Sequence, residues 1–318
     1  MKKNIVVLFL FFQAVVAYAA YPDRPIRLIV AYPPGGGTDI VSRLIVPELS
    51  KRLGQSITID NRGGASGNIG TDSAVNSPPN GYTLLMGNIG PNAINVSIFK
   101  KLPYQPERDL IPISLVAITP NILVANMSLP VKSIADLLVL AKASPGKINF
   151  PSAGSGTSSH LAGVLFCSMA NVDMVHVPYK GGGVAMNDLL GGTVDIYFAT
   201  MPAAIPFIKS GKLRPLGVTS DKRSLILPNI PTIAESGLPG YSATTWYGLY
   251  APKGTPNEII RQIHDATVEV LKIPELREQL IQRGFEPIGN SPEQFSAFVS
   301  SEIIKWAKVV KLAGIEPE

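Results

Sequence analysis

The sequence predicts an α/β protein of two lobes, and three observations predict it. Apolar runs such as Ile26-Arg27-Leu28-Ile29-Val30-Ala31 end in glycine-rich turns that open amphipathic helices. That order of strand, glycine loop, helix and strand is the grammar of an open α/β layer. A second layer of the same kind starts near Ile122, and from Asn257 the chain turns helical. The terminal helices are expected to return to the first lobe. The expected division is 20–120 with 228–318 in one lobe and 121–227 in the other.

Composition narrows the class. The chain has 318 residues, 46% hydrophobic and only 16% charged, which excludes a disordered chain or a long coiled coil. Its length suits two domains of ordinary size. Gly 29 and Pro 28 make up roughly a fifth of the chain, above the ordinary share, and they fall between apolar runs as turns and binding loops. A single cysteine excludes a disulfide framework or thiolate cluster, and three histidines leave little for zinc. No cofactor or metal is expected.

The first 19 residues read as a secretory signal peptide. Met1-Lys2-Lys3 is basic, Ile5 to Val16 is apolar apart from Gln13, and Ala17-Tyr18-Ala19 supplies small residues at both positions of an A-x-A site. The rival reading, a membrane anchor, needs a run of about 18 apolar residues, longer than this one. Without Lys2 and Lys3 the formal net charge falls from +5 to +3. The remaining charges are interleaved, with no basic stripe for nucleic acid. The mature chain is expected in an extracytoplasmic compartment, cleaved near Ala19.

The elements follow in order. Ile26 to Ala31 suits a buried parallel strand, broken by Pro33-Pro34-Gly35-Gly36-Gly37. Thr38 or Asp39 can cap the next helix, in which Val41, Ile45, Leu49 and Leu53 form an apolar face. Pro47 predicts a kink or a split there, and Gly54 a stop. Strands are expected over Ser56 to Asp60 and Tyr82 to Met86, with 91–112 irregular. The second layer gives a strand at Ile122 to Asn126 and a helix over 134–143 capped by Ser133, with Ile134, Leu137, Leu138 and Ala141 inward. Helices are expected from Ser158 to Met169, Val184 to Leu190 and Pro202 to Lys209. Strands are expected at Val175 to Val177, Val194 to Phe198 and Leu213 to Val218. The tail gives helices from Asn257 to Leu271, Pro274 to Ile281 and Pro292 to Val310. The first of these is anchored by Ile260, Ile263, Val268 and Leu271.

Four polar glycine loops stand at strand ends: 33–39, 63–68, 152–159 and 179–183. Open amides at a helix start, reinforced by the helix dipole, form an anion site. Ligands of open α/β sheets bind beyond the carboxyl ends of strands. Each loop alone reads more readily as a tight turn, the four together stand evenly between turn and site, and neither a P-loop nor a dinucleotide pattern is present. Asp39 reads as a cap paired with Arg43, or as a ligand group accepting from an amine or a water. Tyr32, Tyr179 and Trp246 can wall a ligand or serve the core. His160 can donate to a ligand or to a carbonyl, whereas His176 and His264 read as structural. Cys167 and His160 are about 10 Å apart along a helix, too far for a nucleophile and base. No named catalytic motif appears, and the chain is read as a binding protein rather than an enzyme.

Several motifs in order carry a resemblance. They are Pro33-Pro34-Gly35-Gly36-Gly37-Thr38-Asp39, Asn61-Arg62-Gly63-Gly64-Ala65-Ser66-Gly67-Asn68-Ile69-Gly70, Ser152-Ala153-Gly154-Ser155-Gly156-Thr157-Ser158-Ser159-His160 and Val177-Pro178-Tyr179-Lys180-Gly181-Gly182-Gly183. Leu189-Leu190-Gly191-Gly192-Thr193-Val194-Asp195 and Glu235-Ser236-Gly237-Leu238-Pro239-Gly240 complete them. The chain resembles the substrate-binding proteins of tripartite tricarboxylate transporters, the Bug or TctC-like periplasmic receptors, over nearly its whole mature length. Pro47 departs from the family's usual helix. The resemblance implies a two-lobed, type II-like Venus flytrap with a cleft between the lobes. It implies a small carboxylate ligand (a dicarboxylate, tricarboxylate, acidic amino acid or aromatic carboxylate) and a membrane permease of one large and one small subunit. It implies a carboxylate held by loop amides, hydroxyls and bridging waters rather than an arginine. From the first lobe it implies Tyr32, Pro34, Gly35, Gly36, Thr38, Asp39, Ala65 and Gly67. From the second it implies Ser152, Gly154, Thr157, Ser158, Tyr179, Asp195 and Thr200. A bulky substitution at Gly36 or Gly154 is then expected to weaken binding and spare the fold. The alternatives are a receptor presenting its ligand to a membrane sensor and a secreted hydrolase using Ser158 and His160.

Overall fold

The computed structural model describes residues 21–312 and 314–317. The expected signal peptide lies outside the described residues. Strand β1 (Ile26–Val30) leads through the first glycine loop into helix α1 (Gly37–Leu53). Val41, Ile45, Leu49 and Leu53 are buried, as their spacing requires. The helix runs through Pro47 as one element and does not split. Pro47 and Arg43 are both exposed, so water can take the carbonyl that the proline leaves unbonded. Gly54 ends the helix at φ 71°. Strand β2 (Ile57–Asn61), helix α2 (Asn68–Val75) and strand β3 (Thr83–Asn88) follow. β2 and β3 flank β1, both parallel to it.

The stretch expected to be irregular is largely ordered. Pro91 lies in a π-helical turn at Gly90–Ile94, which runs into α3 (Asn95–Ile98). Pro106 opens α4 (Pro106–Asp109). Both prolines stand at first turns, where the missing N–H has no partner to lose. Strand β4 (Leu110–Asn126) is then 17 residues long, not the five expected. Pro112 and Pro120 hid it, because proline within a run argues against a strand. Its ladder is irregular near Pro112 and between Leu115 and Ala117.

Helix α5 (Ile134–Ala143) is capped by Ser133, whose hydroxyl accepts from the Asp136 amide. Then come β5 (Asn149–Ser152), α6 (Ser158–Ala170), β6 (Val175–Pro178), α7 (Gly182–Gly191), β7 (Ile196–Thr200), α8 (Met201–Lys209) and β8 (Leu213–Val218). Strand β9 (Thr244–Pro252) was not expected from the sequence, although its residues are aromatic and β-branched. It is nearly all buried, so it lacks the alternation of a half-exposed strand. Helix α9 (Asn257–Leu271), α10 (Pro274–Gln282), the short β10 (Glu286–Pro287) and α11 (Pro292–Leu312) complete the chain. On α9 the buried positions include Ile260, Ile263, Val270 and Leu271, with Val268 only half-buried.

The first sheet has the order β10-β4-β9-β3-β1-β2. β4 also serves a second sheet. Its residues Leu110 to Pro120 pair with β9, whereas Asn121 to Asn126 pair with β7 and β8. One core cluster joins β1, β3 and β9 to α1, α9 and α10. Another joins the end of β4 to α7, α8, β7 and β8. A third places α11 on the opposite face of the first sheet and continues into α5 and α6. Two sheets joined by the shared strand β4, with the separate parallel pair β5–β6 and with helices around them, make the two-lobed architecture.

Candidate ligand-binding site

The carboxyl ends of β1, β3, β5 and β7 point into one cleft, and they deliver Tyr32, Asn88, Ala153 and Thr200 to it. The cleft has two compartments that share Tyr32 and Ala153. The inner pocket is narrow, about 40 Å³, and the outer cavity measures about 270 Å³.

Four helices begin at the inner pocket. Gly36, Gly37 and Thr38 belong to the start of α1, and Thr157, Ser158 and Ser159 to the start of α6. Gly182 opens α7, and Thr200 precedes α8. None of the four N-caps, Gly36, Thr157, Gly181 and Thr200, makes a side-chain capping bond. Their first amides are therefore open to a ligand, with four positive dipole ends converging. Asn88, Tyr197, Thr245 and Tyr247 complete the polar wall, and no charged side chain lines this pocket. The Tyr247 hydroxyl is buried and has no hydrogen-bond partner among the described residues. Burial raises its pKa far above the ordinary tyrosine value, so it stays protonated and remains a donor.

The first loop is braced by Asp39. Its carboxylate accepts from the Gly35 amide at 3.0 Å, from Arg43 Nε at 2.9 Å and from Asn61 Nδ2 at 3.1 Å. Burial alone would raise its pKa, but Arg43, Gly35 and Asn61 together hold it below the ordinary carboxylate value. Asp39 thus fastens the loop from behind. Neither Thr38 nor Asp39 is the N-cap; Gly36 is. Thr38 Oγ1 instead accepts from Asn88 Nδ2 at 3.0 Å.

The second-lobe loop rests on two histidines. Ser152 Oγ shares a 2.6 Å hydrogen bond with His176 Nε2 and accepts from the Gly154 amide at 3.1 Å. His160 Nδ1 accepts from the Gly156 amide at 3.1 Å. The two imidazoles stack at 4.0 Å between centroids. Burial, then the neighbouring His176, pushes His160 down to about 3, and burial pushes His176 down to about 4. Thr157 Oγ1 donates to the Gly154 carbonyl at 2.7 Å and closes the turn.

The turn at 63–68 lines the outer cavity. Ala65 and Ser66 hold left-handed angles, φ 44° and 56°, between Gly64 and Gly67. Such strain persists only where neighbours over-determine it. Here Tyr32 Oη and Asn95 Nδ2 both donate to the Ser66 carbonyl.

Of the residues expected at the site, Tyr32, Gly36, Thr38, Thr157, Ser158 and Thr200 line the inner pocket. Ala65, Gly67, Gly154 and Tyr179 line the outer cavity. Five lie outside both linings. Pro34 and Gly35 sit on the exposed crest of the loop, and Asp39 lies behind it. Ser152 is fully buried beneath Gly154. Asp195 precedes β7, roughly 16 Å from Thr200 by strand rise, and its carboxylate accepts from the Asn149 amide. It braces β5 at the end away from the cleft. Trp246 belongs to the core against Phe295 and Phe298. Ser158 and His160 share no hydrogen bond among the described residues, so the hydrolase reading has no dyad.

Sequence reasoning missed Asn88, Tyr197, Thr245 and Tyr247. Asn88 was findable, since it ends the apolar run Leu84-Leu85-Met86-Gly87 at a carboxyl strand end. Thr245 and Tyr247 stand on β9, whose buried run carries no alternation to mark it as a strand.

This fold and cleft define a two-lobed periplasmic binding protein of type II-like architecture. The chain belongs to the tripartite tricarboxylate transporter family of receptors, whose model matches residues 41–315. It is 39% identical over 302 residues to the protein BugT of Bordetella pertussis, covering 95% of this chain and 93% of that one. A Rhodopseudomonas palustris protein solved with adipate superposes with TM-score 0.92 at 38% identity, over 94% of this chain and all of that one. The MatC protein of Rhodopseudomonas palustris, solved with bound malate, gives TM-score 0.87 at 32% identity, over 91% of this chain and all of that one.

Proposed function

We propose that this receptor captures a small carboxylate between its lobes in the periplasm and delivers it to a permease of one large and one small subunit. The observation that carries the reading is the inner pocket, where four helix starts without side-chain caps converge and no charged side chain intrudes. Such a pocket favours an anion through amides and dipoles and needs no arginine. The relatives solved with adipate and malate hold dicarboxylates, which supports the same class here.

We assign ligand contacts to Tyr32, Gly36, Thr38, Thr157, Ser158 and Thr200 within, and to Ala65, Gly67, Gly154 and Tyr179 further out. Closure brings the second set of amides to the ligand and excludes water, which strengthens each hydrogen bond. We place the first lobe crossing between Pro120 and Asn121, where the partners of β4 change. The return belongs nearer Ala243 than residue 228, because Ile233 and Ala243 still donate to Val218 and Thr219. Signal cleavage after Ala19 is checked by the N-terminal sequence of exported protein.

The test is a thermal-shift panel of carboxylates on residues 20–318, unfolded and refolded to strip carried ligand. A ligand bound only by the native state raises apparent stability with concentration. A selective rise with carboxylates, absent with the matching amides, is expected. A flat panel on folded protein would overturn the reading.

A further inference from the structure

The outer cavity differs in chemistry from the inner pocket. Pro33, Phe99, Ala65, Ala153 and Pro178 give it apolar walls. Among the described residues, Lys180 is the one charged side chain lining either compartment. It is exposed and forms no ion pair among the described residues, and neither lining contains an acid. Its ammonium is therefore uncompensated beside a cavity that adjoins, at Tyr32 and Ala153, a pocket already suited to one anion.

We propose that Lys180 is a specificity-determining residue that reads a second anionic group on the ligand. Resting on the carboxylate reading above, this deepens it. The first carboxylate occupies the inner pocket, an apolar spacer passes Tyr32 and Ala153, which line both compartments, and the second anion ends at Lys180. Phe99 and the prolines reject a polar spacer, since they offer it no hydrogen bond. Lobe closure strengthens the Lys180 contact by removing water from around it.

The experiment measures dissociation constants for succinate through suberate and for the monocarboxylates of equal length, on native protein and on Lys180→Met and Lys180→Arg. At one favoured length the dicarboxylate is expected to bind about tenfold tighter than its monocarboxylate partner. Lys180→Met is expected to abolish that advantage and leave the monocarboxylate unchanged, and Lys180→Arg to retain it. The advantage should also shrink as salt is raised. Equal binding of both series, or an equal loss for both in Lys180→Met, overturns the role of Lys180 and leaves the carboxylate reading standing. Binding of neither series overturns both.

Discussion

Gly36 and Gly37 stand side by side in the inner pocket and differ in what surrounds them. A Cβ on Gly37 would overlap the Tyr247 hydroxyl, whereas a Cβ on Gly36, at φ −85°, would meet nothing within 4 Å. Gly37→Ala is expected to lower both apo stability, by about 1–3 kcal/mol for overpacking, and ligand affinity. Gly36→Ala should leave apo stability within about 0.5 kcal/mol and still weaken binding, because its methyl enters the ligand's space. Denaturant unfolding and calorimetry on the two variants separate these effects. Tyr247→Phe removes a hydroxyl that lies near Thr200 but makes no hydrogen bond of good geometry among the described residues, so folding should change little. If that hydroxyl donates to the ligand's carboxylate, affinity drops about tenfold or more, as expected for a hydrogen bond to a charged group. Unchanged affinity would place the carboxylate elsewhere.

At the scale of elements, the join that matters most is α11 against the first sheet. Trp246 Nε1 on β9 and Trp306 Nε1 on α11 both donate to Glu302 Oε2, at 3.1 and 3.0 Å. Lys305 pairs with the other carboxylate oxygen at 3.2 Å. Glu302 is itself buried, so one acid satisfies two buried indoles. Glu302→Ala leaves both N–H groups without a partner and should cost about 2–4 kcal/mol in chemical denaturation. Because β9 carries Thr245 and Tyr247 into the cleft, the same variant should also bind ligand less tightly.

The whole molecule turns on the crossing of β4 and the return to β9. Asn121 Nδ2 donates there to the Phe198 carbonyl, and Asn121 Oδ1 accepts from Thr245 Oγ1, so one buried side chain ties both sheets. Between about pH 7 and pH 5, the stacked His160 and His176 make the stability of the fold depend on pH. Their folded values, about 3 and about 4, lie below the ordinary 6.5. As pH falls below about 6.5, the unfolded chain takes up protons that the folded chain refuses. The stability is complete above that value and is lost as pH drops towards the folded values, by up to about 1.4 kcal/mol per unit for each histidine. The melting temperature is thus expected to fall between pH 7 and pH 5, and His176→Phe should flatten that fall. With a folded value of about 3, His160 stays neutral in the folded protein over this range and keeps its bond from Gly156, so affinity should hold between pH 7 and pH 5 while the melting temperature falls. A melting temperature indifferent to pH would contradict the neutral pair.

The α/β class, the helices whose apolar faces recur with helical period and the glycine loops at strand ends are all legible in the amino-acid order alone. Those signals are local: Val41, Ile45, Leu49 and Leu53 are buried wherever a helix of that period packs. Only the tertiary structure decided that β4 and β9 are long continuous strands. Proline masked one, and burial on both faces removed the alternation of the other. It alone decided that Asp39, Ser152 and Asp195 brace loops and strands. It also brought Tyr247 to the start of α1, a residue more than two hundred positions distant in the chain. Which hydrogen bonds a polar side chain finds depends on neighbours remote in sequence, and no periodicity records them.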